Sequence, residues 1–591
     1  MPVAKKFTAT TTSLPAPIGG WNARDSIAEM QPLDAVQMVN FFPTPSEVTL
    51  RKGYTKYSTG ISGEVQTLMN YSSPTTQKLF AVNASGNIYE ATVPTATLAF
   101  PVSLGNGKLQ SQNITTAGGS FLVAVNGADQ MMVYDGTRWQ KSAGTSTAQT
   151  ILTMTRGGTG NLTATVTTGA AHGLVTGNTI TVSGTTPAQF NGTYRITVTG
   201  GSVFTYTMAT APSGDATTVG TYAINYFLTG VNADKLIGIN LYRERLFFVE
   251  EDSLRFWYLP VDSISGALLD YNLGGIARRG GYLQAMGTWT IDAGYGVDDY
   301  AAFVTSQGEV IVYKGSNPSD PNDWSLIGVW QLGQTFSRRC FFKFAGDLLL
   351  LTEDGLVPLA SALQSSRLDP KINITDKIFF AISQAADLYA QNFGWQIIAF
   401  PKYNMLIINI PIGNGVYDQY VMHTITKSWA RFTDINAACF EFSGDDLYFG
   451  SDGFVGKYYD GFSNGGNNIQ ASVQQAYSYF DARGQQKRFT MVRPVFQIQG
   501  AIPTVLCGLS TDFEVLDLSQ SLSFNPRLNQ IGIWDVAKWD EKKWGGTIIS
   551  KEWQGVTGIG YAGSISLNTA SQGLELHWAS TDFVMEKGGV L

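Results

Sequence analysis

An all-β protein built from repeated antiparallel meanders is expected from two features of the sequence. The stretch Phe440–Tyr459 (FEFSGDDLYFGSDGFVGKYY) alternates aromatic or aliphatic residues with small or polar ones, with breaks at Gly444-Asp445-Asp446 and at Asp452-Gly453. Period two marks a half-buried strand, and an Asp-Gly pair suits a tight turn with positive φ. The same strand–turn–strand shape recurs at Lys78–Tyr89, Ser120–Trp139, Leu241–Tyr258, Tyr300–Tyr313 and Phe344–Leu359. Degenerate four-stranded units in series are the sequence form of a β-propeller. Hairpins alone do not set topology, so a β-sandwich or several small β-domains is the open alternative.

At 591 residues the chain is too long for one compact core, and two to four domains are expected. Charged residues make up 14% of it, against a usual level of about a quarter. So few charges on a large chain point to surface hidden against other subunits; a Thr-, Ser- and Asn-rich extracellular β-protein would show the same deficit. The net charge of −7 argues against gripping nucleic acid, because phosphate neutralisation supplies most of that affinity. Cys340, Cys439 and Cys507 are single and far apart, which implies neither a disulfide framework nor a CxxC metal site. The first residues, MPVAKKFTATTTSLPAP, have no apolar signal core, and no stretch of 18 uninterrupted apolar residues occurs. A soluble protein made in the cytoplasm, with no membrane-spanning segment, is the expectation.

Residues 1–17 are small, Thr-rich and punctuated by Pro, and read as an extended arm, either disordered or laid across a neighbouring subunit. Residues 18–60 follow as a separate N-terminal segment. In it Gly19-Gly20 allows a sharp bend, Leu33–Asn40 is a short helical candidate that Asp34 can cap, and Pro43 ends it. Here the residues become recognisable. GGWNARDS at Gly19–Ser26, then AVQMVNFFP and RKGY, resembles the N-terminus of the tail nozzle proteins (tail tubular protein B type) of short-tailed bacteriophages, to which packaged-DNA stabilisation proteins are related. The motif covers some 40 residues. The resemblance makes Gly19, Gly20, Trp21, Asn22, Arg24 and Asp25 an assembly motif facing a head-to-tail adaptor.

Residues 61–146 read as the first part of the propeller. Residues 147–224 shift to Thr, Gly, Ser, Val and Ala, with Asn191-Gly192 and Gly200-Gly201 as hairpin turns between β-branched strands. This is a small inserted β-module, and its HGL, VTVSG and FNGTY segments resemble modules of phage structural proteins. His172 stands alone there and reads as a turn residue. The propeller resumes over 225–463. Ser316–Asp323 is expected to project as a rim loop, and 375–391 is the best helix. Thr375 is its candidate N-cap, and Ile378, Phe379, Ile382, Ala386 and Tyr389 share one face. After a Gly465–Asn468 linker, 464–591 reads as a C-terminal β-domain in which Trp534, Trp539, Trp544 and Trp553 form a packed corner or a subunit contact. The resemblance implies that 18–60 and 464–591 come together as a platform facing the adaptor.

Catalytic patterns are missing. His172, His423 and His577 lie in different segments, and there is no HExxH, GxSxG or P-loop. Glu250-Glu251, Asp298-Asp299 and Asp445-Asp446 look like paired glycosidase carboxylates only superficially, since adjacent strand residues point to opposite faces. No enzyme activity, cofactor or metal is expected. Arg278-Arg279 and Arg338-Arg339 could touch phosphate, but isolated doublets in an acidic chain read rather as salt-bridged rim residues. The resemblance implies instead a structural virion protein: a hexameric ring in the phage tail, bound to the adaptor, carrying fibres or tailspikes on its flank and passing double-stranded DNA through its channel. Acidic groups lining such a channel would keep transit loose, and Glu250, Glu251, Asp252, Asp298 and Asp299 are the candidate lumen or rim carboxylates. The alternative is a receptor- or carbohydrate-binding propeller of the phage tail, using loop aromatics such as Trp324. A glycan hydrolase is the third reading.

Overall fold

The computed structural model describes residues 9–143, 149–292, 297–362, 372–500, 503–514, 522–524, 548–550 and 552–590. The chain is mostly β with few helices. Short antiparallel sheets follow one another along the sequence. The first pairs the second half of Tyr54–Ser72 with Gln77–Asn83, Ile88–Glu90 and Thr97–Leu98. The second runs Gln110–Thr116, Gly119–Val125, Met132–Tyr134 and Trp139–Lys141. The third comprises Leu236–Tyr242, Arg245–Glu250, Arg255–Tyr258 and Leu269–Asn272, and the fourth Leu283–Asp292, Val297–Thr305, Glu309–Lys314 and Ser325–Gln331. The fifth has three strands, Phe341–Phe344, Asp347–Thr352 and Gly355–Pro358. The sixth runs Gln396–Phe400, Met405–Gly413, Val416–His423 and Trp429–Phe432. In the seventh, Cys439–Ser443 and Asp446–Tyr458 are joined by the first half of Tyr54–Ser72, whose second half opens the first sheet.

Each sheet packs on the next through its first strand, and the seventh packs back on the first. The cores show why. Phe247 packs toward the fourth sheet beside Phe303 and Ile311, whereas its neighbour Phe248 packs toward the second beside Val123 and Val133. Successive side chains of a strand point to opposite faces, so a strand between two sheets must be apolar on both. That accounts for uninterrupted runs such as Leu348–Leu351, all buried. The core between the seventh and first sheets, with Cys439, Tyr448, Leu68 and Leu79, completes the circuit.

The chain ends interleave. Ala9–Pro15, Val48–Leu50 and Gln485–Gly500 all pair with Leu574–Val590 in one sheet. Gly20–Trp21 and Asp34–Val39 extend the sixth sheet, and Ile469–Gln475, Gly563–Ser571 and Val505–Thr511 extend it further. Side chains from both sheets, among them Phe41, Val473, Phe489, Leu567 and Trp578, form one core. Strand Ile469–Gln475 (IQASVQQ) buries every second residue, as a sheet with one covered face requires.

Several expectations are corrected. Leu33–Asn40 is no helix: Asp34–Val39 is a strand, held by partners on both sides, and Asp34 caps nothing. Tertiary pairing outweighs a weak helical propensity. The arm over Ala9–Pro15 lies on the chain's own C-terminal strand; residues 1–8 lie outside the described residues. Asp452-Gly453 is not a turn but a bulge, with Gly453 at φ 80°, inside the continuous strand Asp446–Tyr458. Asn191-Gly192 follows a 3-10 turn and starts a strand, while Gly200 does end a hairpin. The helix spans Phe379–Tyr389 after a 3-10 turn. Thr375 makes no cap bond, and its Oγ1 accepts from Leu356 N at 3.0 Å. Ile382, Ala385 and Ala386 are its buried residues, with Ile378 buried in the preceding 3-10 turn, leaving Phe379 and Tyr389 half-buried.

Residues 149–224 form a seven-stranded sheet with its own core of Met154, Val166, Phe204, Tyr206 and Tyr222. It is fastened to the second sheet by Asn178, whose amide donates to the carbonyls of Lys141 and Ser142. The Arg195 guanidinium lies 4.9 Å from the Phe100 ring centre.

Candidate functional site

The segments leading into the first strands of four sheets converge at one end of the circuit. They surround a cavity of about 520 Å³. Lys108 precedes the second sheet, Tyr282 and Gln284 begin the fourth, Gln334–Arg338 lead into the fifth, and the C-terminal end of the long helix with Gln391–Gly394 leads into the sixth. A smaller pocket of about 30 Å³ shares Gln284 and Arg338 and reaches Gln110, Ile239 and Met286 on first strands. The cavity is lined mainly by amides, hydroxyls and charges.

Beside the cavity, Arg339 reaches from the fifth sheet's lead-in across to the first two sheets. Its Nη2 donates to Thr67 Oγ1 at 3.0 Å and Leu109 O at 3.2 Å, and the guanidinium lies 5.1 Å from the Phe393 ring centre. Lys108 Nζ lies 5.3 Å from the same ring. A cation over an aromatic face recovers part of the lost hydration. Across from it, burial pushes the Glu441 carboxyl up to about 7, with the Phe442 N–H and the Arg339 charge pulling the other way. Tyr417 OH donates to Glu64 Oε1 at 2.9 Å, and burial pushes the Cys439 thiol up to about 12. A thiol held neutral in this way is a poor nucleophile.

The candidate carboxylates do not come together. Glu250, Glu251 and Asp252 sit at one end of strand Arg245–Glu250; Glu250 accepts from Trp257 Nε1 at 3.0 Å and Glu251 pairs with Arg338 at 3.4 Å. Asp252 occupies the turn with φ 53°. Asp299 meets the other end of the same sheet, 3.7 Å from Arg243, and accepts from Thr290 at 2.7 Å. Asp298 is on the Val297–Thr305 strand opposite Ile291. At a rise of about 3.3 Å per residue, a strand of six residues separates the two sets.

The arginine doublets also differ from expectation. Arg278 and Arg279 donate their backbone N–H groups to Glu309. Arg338 is salt-bridged, but Arg339 is held by neutral oxygens. Trp324 cannot stack on a ligand: it is 5% exposed and lies parallel to Tyr313 at 5.0 Å. Its loop is closed by Asp323, which accepts from the N–H groups of Ser316 and Asn317. Trp534, Trp539 and Trp544 lie outside the described residues, and Trp553 stacks under Arg493 at 4.6 Å.

The GGWNARDS segment is mostly interior. A Cβ on Gly19 would stand 2.4 Å from Asp34 Oδ1, and one on Gly20, at φ 76°, 2.6 Å from Trp429 O. Trp21 meets Tyr420 edge-on at 5.1 Å. Asn22, 1% exposed, accepts from the N–H groups of Arg24 and Asp25 and donates to Asp25 and Asp34. Lys377 Nζ caps the corner, donating to Gly19 O and Asp34 Oδ1 at 2.6 Å each. Only Arg24 and Asp25 offer charge outward, and Arg24 also pairs with Asp376.

His172 Nδ1 accepts from Leu174 N at 3.0 Å within its turn, Nδ1 of His423 accepts from Thr426 N at 3.3 Å, and His577 contacts Glu47 at 2.7 Å. Among the described residues no group of three His, Cys, Asp or Glu side chains is placed to hold a metal. The cavity-lining Gln, Phe393 and Glu441 were missed from sequence because they carry no local pattern, and Arg339 stood out there only as half of a doublet; closure of the sheet circuit brings them together.

No family model matches the chain, and no curated protein matches it. Among solved structures it is similar to dihydro-heme d1 dehydrogenase NirN, at 10% identity over 66% of this chain and 68% of that one, with a TM-score of 0.30. It is similar to Saccharomyces cerevisiae Sqt1 at 12% identity over 72% and 96%, TM-score 0.25, and to the Cps50 (Swd1) β-propeller domain of Myceliophteria thermophila at 8% over 69% and 99%, TM-score 0.28. Likenesses this distant carry no argument about what this chain does.

Proposed function

We propose that this chain is a non-catalytic virion protein of the nozzle type, from the short tail of a bacteriophage. In this reading the seven sheets are the blades of a propeller, 149–224 is an insertion on it, and the interleaved chain ends are a platform. Copies stand side by side as a hexameric ring around a passage for double-stranded DNA, with the adaptor on the platform and fibres or tailspikes on the flank. The observation that carries the reading is the weaving of Ala9–Leu50 strands into the Leu574–Val590 and Ile469–Gln475 sheets. It builds one rigid face from both ends of the chain beside the GGWNARDS corner that carries the resemblance.

Two further features support it. Arg339 bridges the fifth sheet's lead-in to the first two sheets, and in this reading the DNA passage lies between copies and not within one. The long helix turns Phe380 and Leu388 outward at 61% and 63% exposure, eight residues apart on one face, as a subunit contact would. Electron microscopy of the purified full-length protein tests the proposal. A closed ring with an open centre is expected; a monomer at micromolar concentration with no ring in tails overturns it.

A further inference from the structure

We infer that the axial cavity is a binding site for a short, uncharged oligosaccharide. Its wall presents four glutamine amides that make no side-chain hydrogen bond among the described residues: Gln284, which is buried, Gln307, which is half-buried, and Gln334 and Gln391, which are exposed. Gln284 is only 9% exposed, and the Oγ1 of Thr335, 5% exposed, is also unpartnered. Exposed amides are satisfied by water that a ligand can displace, whereas the buried, unpartnered Thr335 hydroxyl calls for a partner inside the void.

The chemistry selects that partner. An amide offers two donors and an acceptor in one plane, which suits vicinal hydroxyls that both donate and accept. Tyr282, 38% exposed, supplies an aromatic surface at the rim for the apolar face of a sugar ring. The charges on the wall balance: Lys108 and Arg338 against Glu353 and Asp387, with Arg338 already paired to Glu251. A phosphate or polyanion would meet as much repulsion as attraction. The volume of about 520 Å³ lies within the ordinary range for small-ligand sites. The assignment goes beyond the tail reading and does not depend on ring formation, because every lining residue comes from one chain.

Saturation-transfer NMR on the full-length protein with maltotriose, cellotriose and triacetylchitotriose tests it. Transfer to at least one trisaccharide is expected, with affinity falling about tenfold or more in the Gln307→Ala/Gln391→Ala double variant. Both positions are at the surface, and an unchanged melting temperature shows that the variant is folded; Gln189→Ala, in the inserted module, should bind as wild type. No transfer to any of the three, transfer unaffected by the double variant, or Gln-dependent binding of tripolyphosphate or a capped trialanine instead overturns the assignment. Binding by a protein that forms no ring would retain the site while removing the nozzle reading.

Discussion

The guanidinium of Arg51 and the side-chain oxygen of Asn464 are 3.0 Å apart in the interior, joined across 413 residues of sequence. Arg51 is 1% exposed and lies 5.7 Å from the Phe432 ring centre. Its other donors reach Asn40 Oδ1, Lys52 O and Thr433 O. Burial lowers its pKa to about 10, which leaves it charged at neutral pH. One planar fork therefore ties the N-terminal segment, the sixth sheet and the turn after the seventh. Arg51→Met should destabilise by about 3 kcal/mol, because it strands several buried acceptors. Arg51→Lys should recover little, since an ammonium cannot span the same fork. Urea unfolding at pH 7 measures both.

Gly53 closes the same junction. A Cβ there would stand 1.8 Å from the carbonyl oxygen of Ser463, and backbone cannot yield as a side-chain tip can. Gly53→Ala should cost about 3 kcal/mol, whereas Gly63→Ala, which meets no atom within 4 Å, should cost less despite its φ of 76°. Comparing the two melting temperatures checks the prediction.

Glu441 makes stability depend on pH in a defined direction. Its folded pKa of about 7 lies above the ordinary 4.5, so the folded state holds the proton more tightly. This contribution is fully present below pH 4.5 and is lost as pH rises through about 7. Glu441→Gln should abolish the slope between these values and match the protonated wild type, a difference of about 3 kcal/mol at most above pH 7. The wild-type-minus-variant unfolding free energy across pH 4 to 8 gives the answer, with other carboxylates cancelling.

Inner and outer residues of the GGWNARDS corner should separate in experiment. Asn22→Ala removes an interior network and should lower stability by about 2 kcal/mol. Arg24→Glu alters only exposed pairs, worth about 0.5 kcal/mol, and on the adaptor-facing reading should weaken platform docking while folding normally. Thermal melts and adaptor pull-down read the two effects.

Phe380→Glu/Leu388→Glu should leave the melting temperature of the monomer unchanged, because both side chains face outward. If the helix forms a subunit contact, the same pair of changes should shift light-scattering mass from ring to monomer. A ring that persists would assign the contact to another surface.

The β character, the hairpins and the Thr/Gly-rich strands of the insertion were legible in the sequence alone, because period-two patterning and turn residues are local properties. The Arg51–Tyr54 and Gly19–Ser26 segments stood out there through a resemblance and a Gly19-Gly20 bend, but their packing depends on partners such as Asn464, Ser463 and Lys377, hundreds of residues away. Three outcomes needed the folded chain. Leu33–Asn40 became a strand, Glu250 and Asp299 fell at opposite ends of one sheet, and uncommitted glutamines met around one cavity. Each of these is set by which distant strand supplies the next hydrogen bond or covering face, and that choice is made by the closed circuit as a whole.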